Sequence, residues 1–247
     1  MQLPSPEHVL LASLAEIKHD KWGFVIYRCT YQDDRAWERF KQIFHERTRE
    51  YLEMSETPEA ATSLAESLEW TFVEDRVALD GASKCQLRES FKEWAVRNIA
   101  TEQPRAQTQA ETEEDPGPTF WIPRYRYFIQ VDEEALQSVL AAPKDDFHEG
   151  GFINFVDSRW KPMGDRPSRS CISDNRDIEG ADEDEVIEDE GEDEVFDPID
   201  GCTEENVGWM RLAAATVVGT EFYVGVFDYP GGGWYVSYKR PPETVIW

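Results

Sequence analysis

One short segment near the start of the chain, residues 23–31, constrains the fold more than any other. Its sequence, Gly-Phe-Val-Ile-Tyr-Arg-Cys-Thr-Tyr, is dense in β-branched and aromatic residues, which favour strands. Apolar side chains occupy both sets of alternating positions, so the pattern predicts a strand that is covered on both faces. We expect this strand to be the central one of a sheet.

Strand and helix patterns alternate after this segment. Asp33 or Asp34 is placed to cap a helix whose apolar residues recur at helical spacing, and a second strand and helix follow at 69–75 and 83–99. Asp132 precedes a short helix. This order predicts an α+β fold, a mixed β-sheet with packed helices, with two ferredoxin-like halves as one arrangement. The other predicted strands cover 125–131, 152–156, 210–218 and 234–238.

Composition divides the chain into one domain and two irregular segments. Between 182 and 200 there are twelve acidic side chains and no Lys or Arg. Such a segment buries too little apolar area to offset its ordering entropy, so 166–206 is predicted to be a disordered acidic insert. The polar, Pro-bearing range 101–118 is predicted to be a flexible loop. A single α+β domain is then built from 1–165 plus 207–247.

Charge and cysteine usage exclude several classes of protein. The formal net charge of −26 argues against sequence-independent nucleic-acid binding through a generally basic surface. Four scattered Cys and four scattered His residues predict free thiols, no metal site and no cofactor. The sequence shows neither a long apolar span nor a secretory signal, so we expect a cytoplasmic protein with no membrane association.

Arg28 is the first candidate functional residue. Strand alternation places it on the face that carries Phe24 and Ile26, where an unpaired charge is costly. Two interpretations follow from this position. The guanidinium either orients an anionic or carbonyl group of a ligand, or it forms a structural ion pair with an acid such as Asp75.

Polar residues also follow the predicted strands at their carboxyl ends. In parallel strands these ends meet at one edge, where binding sites usually form. Asp33 and Asp132 are equally well placed to cap helices. The catalytic candidates are Arg28, Tyr31, Asp75 and Asp157, and the substrate-binding candidates are Tyr27, Asp33, Glu74, Asp132 and Arg159.

The second predicted helix carries four basic residues at spacings of four, four and five: Lys84, Arg88, Lys92 and Arg97. Such a face is compatible with contact to a phosphate backbone. Glu89 and Glu93 lie between them, as on an ordinary solvated helix. The usual nucleotide-loop, hydrolase and zinc-protease motifs do not occur in the sequence.

Residues 22–31, followed by Asp33, Asp34, Trp37 and Phe40, resemble the opening of a large group of filamentous-fungal proteins, as does the closing Tyr-Lys-Arg-Pro-Pro of 238–242. The chain is similar to the small fungal arginine-containing cyclodipeptide synthases. That resemblance implies an enzyme of natural-product biosynthesis that joins arginine to a second amino acid, with aminoacyl-tRNAs as activated donors. It carries no assignment of active-site residues.

The chemistry of such an enzyme sets requirements on the residues. An arginyl group is best bound by a carboxylate. Amide formation from an ester needs a base, a role that Asp or Glu can fill. It also needs hydrogen-bond donors for the oxyanion, a role that Tyr or Arg can fill. The alternative is a non-enzymatic interaction protein whose aromatic-rich domain binds a protein partner and whose acidic tract modulates that contact.

Overall fold

A computed structural model describes residues 4–104, 122–143, 151–162, 196–228 and 232–247. Within these ranges the chain forms a mixed six-stranded sheet with packed helices, which confirms the predicted α+β class. The strands are β1 Val25–Arg28, β2 Thr71–Val73, β3 Tyr127–Val131, β4 Phe152–Asp157, β5 Trp209–Ala213 and β6 Thr244–Val245. The helices are α1 Pro6–Glu16, α2 Asp34–Glu53, α3 Pro58–Ser67, α4 Arg76–Leu79, α5 Lys84–Glu102, α6 Pro123–Arg126, α7 Glu133–Ala141, α8 Ala214–Val217, α9 Thr220–Asp228 and α10 Gly232–Ser237.

The sheet has the strand order β2-β1-β3-β4-β5-β6. β1 pairs in parallel with both β2 and β3, whereas β4 is antiparallel to β3 and to β5, and β6 is parallel to β5. The order does not divide into two ferredoxin-like halves. As predicted, the segment around β1 is internal to the sheet and buried on both faces.

Each face of the sheet has its own apolar core. Ile26 of β1 joins the main core, which holds Trp37 and Phe40 of α2, whereas Val25 and Tyr27 join a second core with Phe91 of α5. The chain therefore crosses from β1 to β2 over one face and from β2 to β3 over the other. The carboxyl ends of β1 and β3 form a topological switch point, where open α/β sheets usually bind ligands.

Local capping chemistry fixes where the helices begin. Asp33 accepts hydrogen bonds from the first turn of α2, and Asp75 and Asp132 do the same for α4 and α7. Ser83 and Gln86 form a reciprocal capping box at the start of α5. The predicted capping roles of Asp33 and Asp132 are confirmed.

Several predicted elements differ from the observed ones. The predicted strand 210–218 ends at Ala213, and the predicted strand 234–238 falls in helix α10. Short apolar runs do not distinguish a strand from a buried helical turn, so these errors share one cause. The sequence patterns also did not predict helices α1, α3, α4, α6 and α9. No helix in the described ranges combines the length and the apolar character that a membrane span requires.

Part of the predicted acidic insert is packed against the domain. The Arg240 guanidinium donates hydrogen bonds to the backbone oxygens of Asp197, Cys202 and Glu204, so the predicted insert boundary at 206 lies too far along the chain. Helix α5 likewise extends to Glu102, inside the predicted loop 101–118. The remaining parts of both segments lie outside the described residues.

Candidate functional site

The candidate site lies along the carboxyl edge of the sheet, which we define as the ends of β1, β2 and β3. Tyr31, Glu74 and Asp132 follow these three parallel strands, so the fold brings them to one edge as predicted. The switch point between β1 and β3 lies in the middle of this edge. Acidic side chains surround it on both sides.

Arg28 is the most deeply buried charged residue of this edge, with a side chain only 5% exposed. Its Nη2 lies 2.5 Å from Oδ1 of Asp34 and its Nη1 lies 3.3 Å from Oε2 of Glu74. Nε donates to the Thr30 backbone oxygen at 2.8 Å, and the guanidinium carbon lies 4.2 Å from the Tyr31 ring centroid. We refer to these five residues as the Arg28 cluster.

The Arg28 cluster confirms the prediction of a buried, paired arginine and corrects its partner. Asp34 and Glu74 hold the guanidinium, whereas Asp75 caps α4 and donates its backbone N–H to the Tyr31 hydroxyl at 2.7 Å. Burial acts to raise the pKa of Glu74, but hydrogen bonds from Trp37, Lys41 and Arg28 and the charge of Lys41 outweigh it and lower the pKa. The bonds already made by Nε, Nη1 and Nη2 leave Arg28 poorly placed to bind a substrate.

A hydroxyl–carboxylate pair bridges the switch point. Thr30, two residues after β1 and 4% exposed, donates its hydroxyl to Oε2 of Glu133 at 2.5 Å. The other oxygen of Glu133 accepts from the Gln137 amide at 2.9 Å. Glu133 itself is only half-buried, so a fixed carboxylate faces the edge. Sequence analysis selected the neighbours Tyr31 and Asp132 and missed this pair, whose members are 103 residues apart.

Asp157 and Arg159 lie at the opposite edge of the sheet. The prediction that they join the other carboxyl-end residues is wrong because β4 runs antiparallel to β3. Asp157 is 6% exposed and its Oδ2 accepts from Nη2 of Arg126 at 2.8 Å, while its Oδ1 accepts from the Arg159 backbone N–H. The pair of Arg126 and Asp157 links the amino end of β3 to the end of β4.

Tyr27, a substrate-binding candidate, is a core residue. Its ring is 2% exposed and meets Phe128 edge to face at a centroid distance of 5.4 Å. Burial raises the pKa of its hydroxyl well above the ordinary range, which keeps it neutral. The position of Tyr27 in the second core gives a ligand no access to it.

The four basic residues of α5 do not form one open face. Lys84 lies with its Nζ 3.7 Å from the Trp209 ring centroid, and Arg88 donates to the backbone oxygens of Asp157 and Gly208. Burial lowers the pKa of Lys84, although Asp200 and Asp132 oppose this effect. Lys92 pairs with Glu89 and Arg97 donates to the Glu93 backbone, so only this half of the set points outward.

The described residues contain no group of three or more His, Cys, Asp and Glu side chains that could hold a metal ion. Comparison with known proteins found no matching family model, no matching curated protein and no matching solved structure. Inference about function therefore starts from the geometry of the carboxyl edge.

Proposed function

We propose that the protein is a tRNA-dependent cyclodipeptide synthase, which joins an arginyl group to a second amino acid from aminoacyl-tRNA donors. The observation that carries this proposal is the Thr30–Glu133 pair at the switch point of an acidic edge. An edge of this kind suits a cationic amino acid, and the opening segment 22–31 supplies the resemblance to the arginine-containing synthases.

Arginyl recognition requires carboxylates that still have free lone pairs. Asp33 uses one oxygen to cap α2, and Asp34 uses one to bind Arg28, so each keeps an oxygen toward solvent. Both side chains lie at the start of α2, beside the end of β1. A guanidinium that meets such oxygens makes charge-assisted hydrogen bonds, which are stronger than neutral ones.

Amide formation then needs a base and an oxyanion donor. Glu133, held by Thr30 and Gln137, accepts a proton from the attacking amine as its nitrogen bonds to the ester carbonyl carbon. The ester C–O bond breaks, and the ribose oxygen of the tRNA leaves with that proton. A second round of the same chemistry closes the ring. Tyr31 accepts from the Asp75 N–H, which leaves its phenolic proton to stabilise the oxyanion.

The basic residues of α5 favour a second candidate, the non-enzymatic interaction protein. Lys84 and Arg88 have their cationic groups directed into the fold, which leaves little basic surface for tRNA along this helix. On this alternative, the acidic carboxyl edge binds a basic segment of a protein partner and consumes no aminoacyl-tRNA.

The test is a search by mass spectrometry for arginine-containing cyclodipeptides made by the purified protein from charged tRNAs. We expect product from the parent, loss of product from Glu133→Gln, and no change in Glu66→Gln, a matched control on the exposed face of α3. A folded parent that forms no product and deacylates no aminoacyl-tRNA would rule out the synthase and leave the interaction protein.

A further inference from the structure

Three polar side chains form a row across the sheet on the face that α5 covers. Gln130 of β3 pairs in register with Asn154 of β4, which pairs with Arg211 of β5. Side chains alternate along strands, so all three lie on the face that carries Phe128 and Trp209. Neighbouring strands lie about 4.8 Å apart. Asn154, the shortest of the three side chains, is on the middle strand, between Gln130 and Arg211. We call these three residues the polar row.

Gln130 and Asn154 are buried and Arg211 is half-buried, yet the polar row is incompletely hydrogen-bonded. Gln130 is 4% exposed; its Nε2 donates to the Ala82 backbone oxygen at 2.9 Å, while its Oε1 accepts no hydrogen bond from the described residues. Within the same ranges Nε of Arg211 and Nε1 of Trp209 also have no hydrogen-bond partner. Native proteins keep few such atoms, so an acceptor and two donors on one face indicate a ligand site.

Charges of both signs surround the polar row. Asn154 donates to Oδ2 of Asp132 at 2.8 Å, and Arg211 pairs with Glu134 at 2.6 Å. The Lys84 ammonium, over the Trp209 ring, lies 3.6 Å from Asp200. This balance fits a ligand that carries a positive and a negative group close together better than it fits a simple anion or cation.

We propose that the polar row binds a free α-amino acid. The ammonium group donates to Oε1 of Gln130 and to the Asp132 carboxylate, whose oxygens have unused lone pairs. The carboxylate accepts from Nε of Arg211 and from the Trp209 indole. The three unsatisfied atoms have almost no accessible surface, so the ligand enters only when the side chains around the short Asn154 move apart. This inference does not rest on the proposed function.

The first experiment measures ligand binding to the full-length parent. The twenty L-amino acids are tested at millimolar concentration by thermal shift and calorimetry, beside an amino-acid amide that lacks the carboxylate and a carboxylic acid that lacks the amine. We expect at least one amino acid to bind and both analogues to bind about tenfold more weakly or worse. Equal binding of either analogue, or binding of no amino acid, would overturn the proposal.

The second experiment assigns the binding to the polar row. Gln130→Met keeps the side-chain length and removes the acceptor, and we expect it to weaken amino-acid binding about tenfold or more. Gln42→Met, an exposed glutamine of α2, is the matched control and should bind like the parent. Arg211→Lys tests the carboxylate end if Gln130→Met fails to fold. Folded variants that bind as tightly as the parent would place the ligand elsewhere and contradict the proposal.

Discussion

Two buried glutamines differ in how completely their amide groups are satisfied. Gln103, 1% exposed, accepts hydrogen bonds from the backbone N–H groups of Asp20 and Lys21 and donates to the Lys21 oxygen and the Tyr125 hydroxyl. Gln130 is buried to nearly the same extent, but its oxygen accepts no hydrogen bond from any residue that the structure describes. Burial alone therefore does not distinguish a structural residue from a binding residue.

The surroundings of the two glutamines extend this contrast. Next to Gln103, the Arg124 guanidinium, 0% exposed, makes two hydrogen bonds to the Glu102 carboxylate, at 2.8 and 2.7 Å, and two more to Glu69 and Thr71. We call Glu102, Gln103, Arg124 and Tyr125 the closed network. Polar groups in a closed network hold the chain in one arrangement, whereas those of the polar row have unused bonding capacity on the face that α5 covers.

The largest expected effect comes from opening the closed network at its centre. Arg124→Met leaves the Glu102 carboxylate without its cation, and removing one partner of a buried ion pair typically costs about 3–5 kcal/mol of unfolding free energy. Urea denaturation measures the change. Arg49→Met, which removes an exposed partner of Glu53 on α2, is the control and should cost less than about 1 kcal/mol. If Arg124→Met lost as little unfolding free energy as Arg49→Met, the closed network would not be stabilising.

The two glutamines give the next prediction, made by the same substitution at each. Gln103→Met leaves two backbone N–H groups and the Lys21 oxygen without their Gln103 partner and removes one of the two hydrogen bonds of the Tyr125 hydroxyl, so we expect a loss of about 2–4 kcal/mol. Gln130→Met breaks one hydrogen bond and removes an unsatisfied oxygen, so we expect a loss under about 1 kcal/mol. Denaturation midpoints compare the pair, and a larger loss at Gln130 would reverse the comparison.

The features that the sequence predicts correctly depend on local signals. The strand around β1, the caps Asp33 and Asp132 and the burial of Arg28 follow from spacing and alternation alone. Gln130 also carries a local signal, because it is the one amide side chain in the strand Tyr-Phe-Ile-Gln-Val.

The features that the sequence does not predict depend on strand pairing and on contacts between residues far apart in the chain. The direction of β4, which separates Asp157 from the carboxyl edge, depends on how β3 and β4 pair, and no local pattern encodes it. The pairing of Thr30 with Glu133 joins residues 103 positions apart. Whether an oxygen such as that of Gln130 finds a donor also depends on tertiary packing rather than on strand propensity.

The free energy of unfolding should also depend on pH through His19. The ring of His19 packs edge to face against Tyr125 of the closed network, at a centroid distance of 5.9 Å. Burial lowers the pKa of His19 to about 4, below an unfolded value near 6.5, so the unfolded chain binds this proton more tightly. The contribution of His19 to the free energy of unfolding is therefore fully present above about pH 6.5. It decreases as the pH falls, and at pH 5 it is lower by about 2 kcal/mol. The measurement is urea denaturation between pH 7 and 5. His19→Gln should flatten that slope, and an unchanged slope would contradict the assignment.

The last effect is expected at the Arg28 cluster, and its size lies between that of the closed network and that of Gln130. Its guanidinium is buried, but the side chains of Asp34 and Glu74 are 83% and 35% exposed, so water takes over their hydration when the cation is removed. Arg28→Ala should therefore cost about 1–2 kcal/mol, more than the half kcal/mol of a typical surface change and less than Arg124→Met. The unfolding midpoint decides between these ranks. A loss as large as that of Arg124→Met would contradict this ranking. It would mean that Asp34 and Glu74 do not regain their hydration when the guanidinium is removed, as expected for the partner of Arg124 in the closed network.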